Sequence, residues 1–175
     1  MDPLAIVILV GVLAISLGIA IPYGLYLGKQ QQNLTNSGQM LKREYDFYKK
    51  QNLFRSSVSG LEQLYSALDK GFLNSQGIAC EHQRQNGCIA FANQKVGGTF
   101  RAEIEPLGYN QTIGAYIYRY QLTHWTNVRN RGFSTADRIG ANILLTAVEK
   151  AFLTLDYNAV VERSYAEFKS KTSFF

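Results

Sequence analysis

The sequence lacks the motifs that mark the common catalytic and nucleotide-binding sites. It contains no Walker loop, no Gly-x-Gly-x-x-Gly and no His-Glu-x-x-His. Cysteine and histidine are scarce, with two of each, and their spacing does not match the paired ligands of zinc sites. The four residues are Cys80, His82, Cys88 and His124. We therefore predict no metal, no cofactor and no enzymatic activity, and the sequence identifies no small-molecule substrate.

Charge is absent from residues 3–27. About 20 apolar residues in a helix can cross the hydrocarbon core of a membrane, and Tyr23 and Tyr26 are typical of the membrane interface. A cleaved signal peptide is the main alternative, and a buried helix of a soluble protein is a further one. A signal peptide begins with basic residues, whereas this segment begins with Asp2. The sequence therefore predicts a retained single-pass anchor over residues 1–28, with membrane lipid as a partner.

Two features disagree about the side of the membrane that the remaining chain occupies. Basic residues follow the anchor, and the positive-inside rule places such a flank in the cytoplasm. Cys80 and Cys88, however, lie close together in sequence on either side of a turn-like stretch. A disulfide between them needs an oxidising compartment, whereas two free, buried cysteines are the alternative. We predict that the disulfide forms and that the domain is extracytoplasmic, although the basic flank indicates the cytoplasm.

The chain after the anchor divides into a stalk and a domain. Residues 29–56 are predicted to form a polar juxtamembrane stalk, partly helical because Leu41, Tyr45 and Tyr48 recur at helical spacing. The remaining residues, 57–175, have the length of one domain.

The domain is predicted to begin with a helix and to continue with strands. Ser59 and Glu62 match the capping box of a helix, and Gly71 is a stop signal at its end. The middle of the chain then alternates with the period of strands. Strands are predicted at 88–96, 99–107 and 113–125, with a fourth at 78–84.

The C-terminal part returns to helical periodicity. Ser134 begins a second capping-box-like pattern, and apolar residues follow it at the helical period. A further amphipathic helix is predicted over 159–169. The predicted fold is α+β: a transmembrane helix, a helix, an antiparallel sheet of three to four strands, and two C-terminal helices packed on that sheet.

A row of tyrosines on the third strand is a candidate partner surface. Tyr116, Tyr118 and Tyr120 share one face, and Arg129 and Arg131 follow them. Aromatic side chains beside arginines can stack the bases of single-stranded nucleic acid. The same row can equally form a face that the C-terminal helix covers, and three amphipathic helices need such a face. We therefore do not expect nucleic acid as a partner.

The end of the apolar segment resembles a known family. Ile19-Ala20-Ile21-Pro22-Tyr23 is similar to the end of the transmembrane half of the N-terminal helix in type IV pilins and secretion pseudopilins. The long apolar helix, its polar continuation, the sheet and the cysteine pair are also similar. Ala5 stands where that family has its hallmark glutamate. The resemblance implies a bend at Pro22, apolar helices bundled into a filament core, and sheet domains that face outward.

These observations predict a non-enzymatic structural or accessory subunit of a cell-envelope assembly, in a filament or a secretion system. Its partners would be other subunits or further copies of itself. Gly11, Ala14 and Gly18 are small enough to let helices approach closely, and together with Pro22 they form the predicted surface for helix packing in the membrane. The alternative is a cytoplasm-facing adaptor, tethered to the membrane, that binds a protein or nucleic acid.

Overall fold

The computed structural model describes residues 3–94, 100–125 and 133–165, without the side chains of 164, 165 and several residues of the first helix. The chain divides into two compact units, Met1–Gly38 and Gln39–Phe175. In the first unit the described residues form one helix, α1 (Pro3–Asn36), which contains Pro22.

Helix α1 continues without a break past residue 28, where the anchor was predicted to end. Among the residues that the structure describes, no helix is long and apolar enough to cross a membrane. The predicted transmembrane helix is therefore wrong, and so is the single-pass membrane location derived from it. The prediction depended on a run without charge. The described α1 side chains from Gly18 onward also include tyrosines, a lysine and glutamines, which place polar groups along the helix.

The second unit begins with an irregular segment and a strand in place of the predicted stalk helix. A short 3₁₀ turn spans Phe47–Lys49 and leads into β1 (Lys50–Ser56). Asn52, Phe54 and Ser56 are buried while the residues between them are only half-buried. That period of two belongs to a strand with one covered face.

Two short helices, α2 (Leu61–Ala67) and α3 (Lys70–Ser75), replace the single predicted helix. The N-cap residue of α2 is Gly60, which has no side chain to cap the helix. The predicted capping box at Ser59 is therefore not formed. In α3 the carboxylate of Asp69 accepts a hydrogen bond from the Phe72 amide. This cap starts a new helix and explains the break.

The sheet is larger than predicted. The described part of the chain contributes six antiparallel strands, in the order β2-β3-β4-β5-β1-β6. The strands after β1 are β2 (Ile78–Gln83), β3 (Cys88–Asn93), β4 (Phe100–Asn110), β5 (Ala115–Trp125) and β6 (Val160–Tyr165). Strands β2 to β5 form a meander, and β1 inserts between β5 and β6.

The long helix α4 (Thr135–Leu155) covers one face of this sheet. Its predicted start is confirmed, because the Ser134 hydroxyl accepts a hydrogen bond from the Asp137 amide. The second predicted C-terminal helix is wrong, since the chain returns as β6 and pairs with β1. Val160 and Val161 are β-branched and favour a strand, and the edge of β1 supplies a partner. The remainder of that predicted helix lies outside the described residues.

The core lies between α4 and the face of the sheet that points toward it, called here the inner face. Phe152 of α4 stacks on Phe54 of β1, with ring centroids 4.4 Å apart, and meets Tyr118 of β5 at 5.3 Å. Ile104 of β4 and Ile89 of β3 continue the same face and are fully buried. The inner face therefore carries the apolar side chains of successive strands under one helix.

A buried ion pair joins the start of the second unit to α4. The guanidinium of Arg43 donates two hydrogen bonds to the Glu149 carboxylate, at 2.6 and 3.1 Å, and its Nε donates to Asn142 Oδ1 at 2.7 Å. Thr146 Oγ1 accepts a further bond from Arg43, and Arg163 of β6 donates to Glu149 Oε1 at 2.8 Å. The Glu149 carboxylate therefore binds two guanidinium groups, Arg43 and Arg163, that are far apart in sequence.

Candidate functional site

The two cysteines are free and point to opposite faces of the sheet. In the β2–β3 hairpin Cys80 lies opposite Phe91, while Cys88 lies opposite Gln83. Opposed residues share a face and neighbouring residues alternate, so Cys80 projects to the inner face and Cys88 to the other. The predicted disulfide is therefore not formed in this hairpin.

Neither thiol has the environment of a reactive cysteine. Burial raises the pKa of Cys80 to about 11, in spite of the nearby ammonium of Lys70. Burial and then the carboxylates of Glu103 and Glu105 raise the pKa of Cys88. Because the thiolate is the nucleophile and the metal ligand, both groups are held in their unreactive form.

The predicted tyrosine row divides between the core and a cleft. Tyr118 and Tyr120 are buried, and the Tyr118 hydroxyl donates to the Val58 carbonyl at 2.7 Å. Burial raises the pKa of both hydroxyls. Only Tyr116 is partly accessible. Because Tyr118 and Tyr120 are buried, the three tyrosines do not form the continuous partner surface that the sequence suggested. Arg129 and Arg131 lie outside the described residues.

Of the residues predicted to pack helices together, Gly18 and Pro22 lie on described, exposed parts of α1. The side chain of Ala14 and the surroundings of Gly11 lie outside the described residues. The sequence analysis missed a second small pair, Gly24 and Gly28, whose spacing of four residues is the signal that identifies it.

A cleft of about 400 Å³ opens in the second unit, at the end of the inner face that the β2–β3 and β4–β5 hairpins reach. It is lined by residues of three kinds. The walls come from aromatic and aliphatic side chains, backbone surface comes from glycines, and the polar groups come chiefly from His82 and Glu62. The full lining is Ser59, Gly60, Leu61, Glu62, His82, Gly87, Pro106, Gly108, Tyr116 and Tyr118.

The imidazole of His82 is the most chemically versatile group in the cleft. Its Nδ1 lies 3.4 Å from Glu62 Oε2, and its ring packs on Tyr65 with centroids 5.6 Å apart. The other Glu62 oxygen is 2.8 Å from an Arg84 guanidinium nitrogen. Glu62 is mostly exposed, and its distance from His82 exceeds that of a normal hydrogen bond. The carboxylate therefore lies beside the Nδ1 edge of the imidazole and orients the ring without a normal hydrogen bond.

Comparison of the chain with protein-family models, with curated proteins and with solved structures gives no match. Within the described ranges 3–94, 100–125 and 133–165, no group of three or more His, Cys, Asp or Glu side chains could hold a metal ion.

From the sequence, His82 was a candidate only as a metal ligand, and the cleft was not predicted. Its partner Glu62 lies on α2, and the cleft walls come from β4 and β5. The alternation of Ile78, Cys80 and His82 along β2 was a usable signal, because it places His82 on the inner face. The contact with Glu62 depends on how α2 packs, which local periodicity does not encode.

Proposed function

We propose that this protein is a non-enzymatic structural subunit that assembles with further copies of itself through α1. The observation that carries the proposal is the exposure of large apolar side chains along this helix. Ile19 is 68 % exposed and Leu25 is 64 % exposed. Contiguous exposed apolar surface of this kind marks interaction sites in proteins.

The exposed apolar residues lie on two sides of α1. At 3.6 residues per turn, Ile19, Tyr23 and Tyr26 share one side, and all three are exposed. Ile21 and Leu25 lie on the approximately opposite side and are also exposed. A helix that is apolar on opposite sides needs more than one neighbour to cover it. We therefore expect assemblies of more than two copies.

A second copy of α1 fits this surface better than an unrelated partner. Residues 3–27 carry no charge, so identical helices meet without electrostatic repulsion. Gly24 and Gly28 lie beside Ile21 on the same side, and a Cβ placed on either glycine would meet nothing within 4 Å. Small residues at this spacing let two helix backbones approach closely. The helix is 34 residues, or about 51 Å, long, which gives room for staggered contacts.

The resemblance to type IV pilins and secretion pseudopilins agrees with this proposal, because their N-terminal helices bundle into a filament core. The adaptor alternative has less support, since Tyr118 and Tyr120 are buried. The second unit would be the part that the assembly carries and displays.

Light scattering coupled to size-exclusion chromatography of the full chain tests the proposal. We expect a mass of at least three copies at micromolar concentration. Ile19→Glu should reduce that mass, whereas Gln32→Glu, which adds the same charge to an exposed polar position of the same helix, should leave it unchanged. A monomeric full chain would contradict the proposal, whether or not the monomer also floats with phosphatidylcholine vesicles.

A further inference from the structure

The size of the cleft fits one small organic molecule. Ligand pockets in proteins are commonly about 300–1,000 Å³, and a cavity of about 150 Å³ holds benzene. At about 400 Å³ this cleft has room for a molecule of one or two rings.

The walls of the cleft suit a flat, apolar molecule. Tyr116 presents an aromatic ring, Leu61 and Pro106 add aliphatic surface, and the buried Tyr118 lies behind this wall. Aromatic rings favour offset-stacked or edge-to-face contacts with other rings.

Glycine surrounds the cleft at the points where a side chain would narrow it. Gly60, Gly87 and Gly108 all line the cleft, and a Cβ built on any of them would meet nothing within 4 Å. Gly87 and Gly108 have positive φ, which favours glycine for backbone reasons. Gly60 does not, because its φ of −153° is extended. Gly60 is the N-cap residue of α2, where glycine is one of the favoured residues, so capping and the open space of the cleft both account for glycine there.

His82 supplies one directed polar contact. The Glu62 carboxylate faces Nδ1 and favours a proton there. In a neutral imidazole with its proton on Nδ1, Nε2 is a hydrogen-bond acceptor. Among the described residues no hydrogen bond to Nε2 is formed. A ligand that complements this nitrogen has to donate a hydrogen bond.

From these observations we infer that the cleft binds a small aromatic molecule of one or two rings that carries a hydroxyl or N–H donor, which His82 Nε2 accepts. The rings lie against Tyr116 and the glycine backbones. This site lies within the second unit and does not depend on assembly through α1, so the two proposals succeed or fail separately.

The probe pair 2-naphthol and 2-methoxynaphthalene tests the inference on the full chain. The two molecules share a double ring, but only the first donates a hydrogen bond. Titration is followed by ¹H–¹⁵N correlation spectra in the presence of enough detergent to keep the particle small, with the detergent alone as a blank. We expect saturable shifts at the amides of the cleft, with 2-naphthol binding about tenfold more tightly, as loss of one hydrogen bond implies.

Three variants locate the contacts. His82→Phe keeps a ring against Tyr65 and removes the acceptor, so the tenfold preference for 2-naphthol should fall to about one. Gly60→Phe, at a position whose backbone accepts any residue, should fill the cleft and weaken both probes at least tenfold. Gly71→Phe is the matched control, because Gly71 is an exposed glycine of α3 that does not line the cleft. It should leave both affinities unchanged.

Absence of saturable 2-naphthol binding to the wild-type chain would overturn the inference. So would a preference for 2-naphthol that survives in His82→Phe, or shifts that map outside the cleft. The spectrum of each variant without probe shows whether it retains the wild-type fold, and a variant that unfolds is replaced by Tyr116→Leu, which should weaken both probes equally.

Discussion

Replacement of Glu149 by glutamine should destabilise the second unit more than neutralisation of any other residue in its described ion pairs. Its side chain is 8 % exposed and that of Arg43 is 3 % exposed, so water screens their interaction very little. The substitution leaves the Arg43 guanidinium buried beside a neutral amide. Removing one partner of a buried ion pair typically costs about 3–5 kcal/mol.

A matched variant separates the stability lost by unpairing a buried charge from the general effect of removing a negative charge. Glu162→Gln makes the same chemical change on β6, where Glu162 pairs with Arg55. Both partners are well exposed there, at 48 % and 38 %, and such pairs contribute about 0–1 kcal/mol. Arg163, the second cation on Glu149, is 46 % exposed, so it adds only a surface-like contribution to the cost.

Urea unfolding followed by tryptophan fluorescence measures the difference. With a slope of about 2 kcal/mol per molar urea, Glu149→Gln should lower the midpoint by roughly 1.5–2.5 M, and Glu162→Gln by less than about 0.5 M. The double variant Arg43→Met, Glu149→Leu should lose less stability than the sum of its single variants, because no unpaired charge remains. Equal shifts for Glu149→Gln and Glu162→Gln would refute the burial of this pair.

Three further outcomes follow from the second unit. Phe152→Ala, which empties the stack on Phe54, should cost about 3–5 kcal/mol in the same urea assay, whereas Leu153→Ala at the exposed neighbouring position should cost under about 0.5 kcal/mol; similar losses at both would contradict the packing. Hydrogen bonds from the Ser57 amide and then the Ser56 hydroxyl hold the pKa of Asp156 below its usual value, so the stability that Asp156 contributes is complete above about pH 4 and is lost as the pH falls through its folded-state pKa. The stability difference between wild type and Asp156→Asn should therefore disappear in acid. A difference independent of pH would argue against these contacts. With its pKa raised to about 11, Cys80 should react with iodoacetamide at pH 8 roughly a hundredfold more slowly than a free cysteine, and reduction should leave the intact mass unchanged; a mass gain of two hydrogens would reveal a disulfide.

The parts of the fold that were predicted correctly have local signals. The Ser134 cap and the amphipathic run after it lie within one helix, so their meaning does not depend on the rest of the chain. The alternation of Phe100, Ala102 and Ile104 in β4 likewise appears within a few residues, and all three are buried. Both elements could therefore be identified without knowledge of their partners.

The parts that were predicted wrongly depend on distant partners. The pattern of Leu41, Tyr45 and Tyr48 suits a helix in isolation, but Tyr48 instead packs on Phe133 at 4.5 Å and the chain extends into β1. The strand β6 was read as a helix for the same reason, since its partner β1 lies far away in sequence.

The candidate site shows the same limit in two ways. The cysteines are close in sequence, yet the register of their hairpin places them on opposite faces, and register cannot be read from spacing alone. The cleft is assembled from the start of α2 and from the β2–β3 and β4–β5 hairpins, so its residues do not form one sequence motif. Only the face of His82 was available from the sequence.

The place of β1 in the sheet has a consequence for the order of events during synthesis. Asn52 of β1 pairs with Tyr120, and Lys50 pairs with Tyr165. The first strand of the second unit therefore emerges from the ribosome long before either of its neighbours exists. Until then its backbone groups are open to incorrect pairing. A nascent chain that stalls before residue 160 would leave open the edge of β1 that β6 covers in the folded unit, and that edge could pair with another chain.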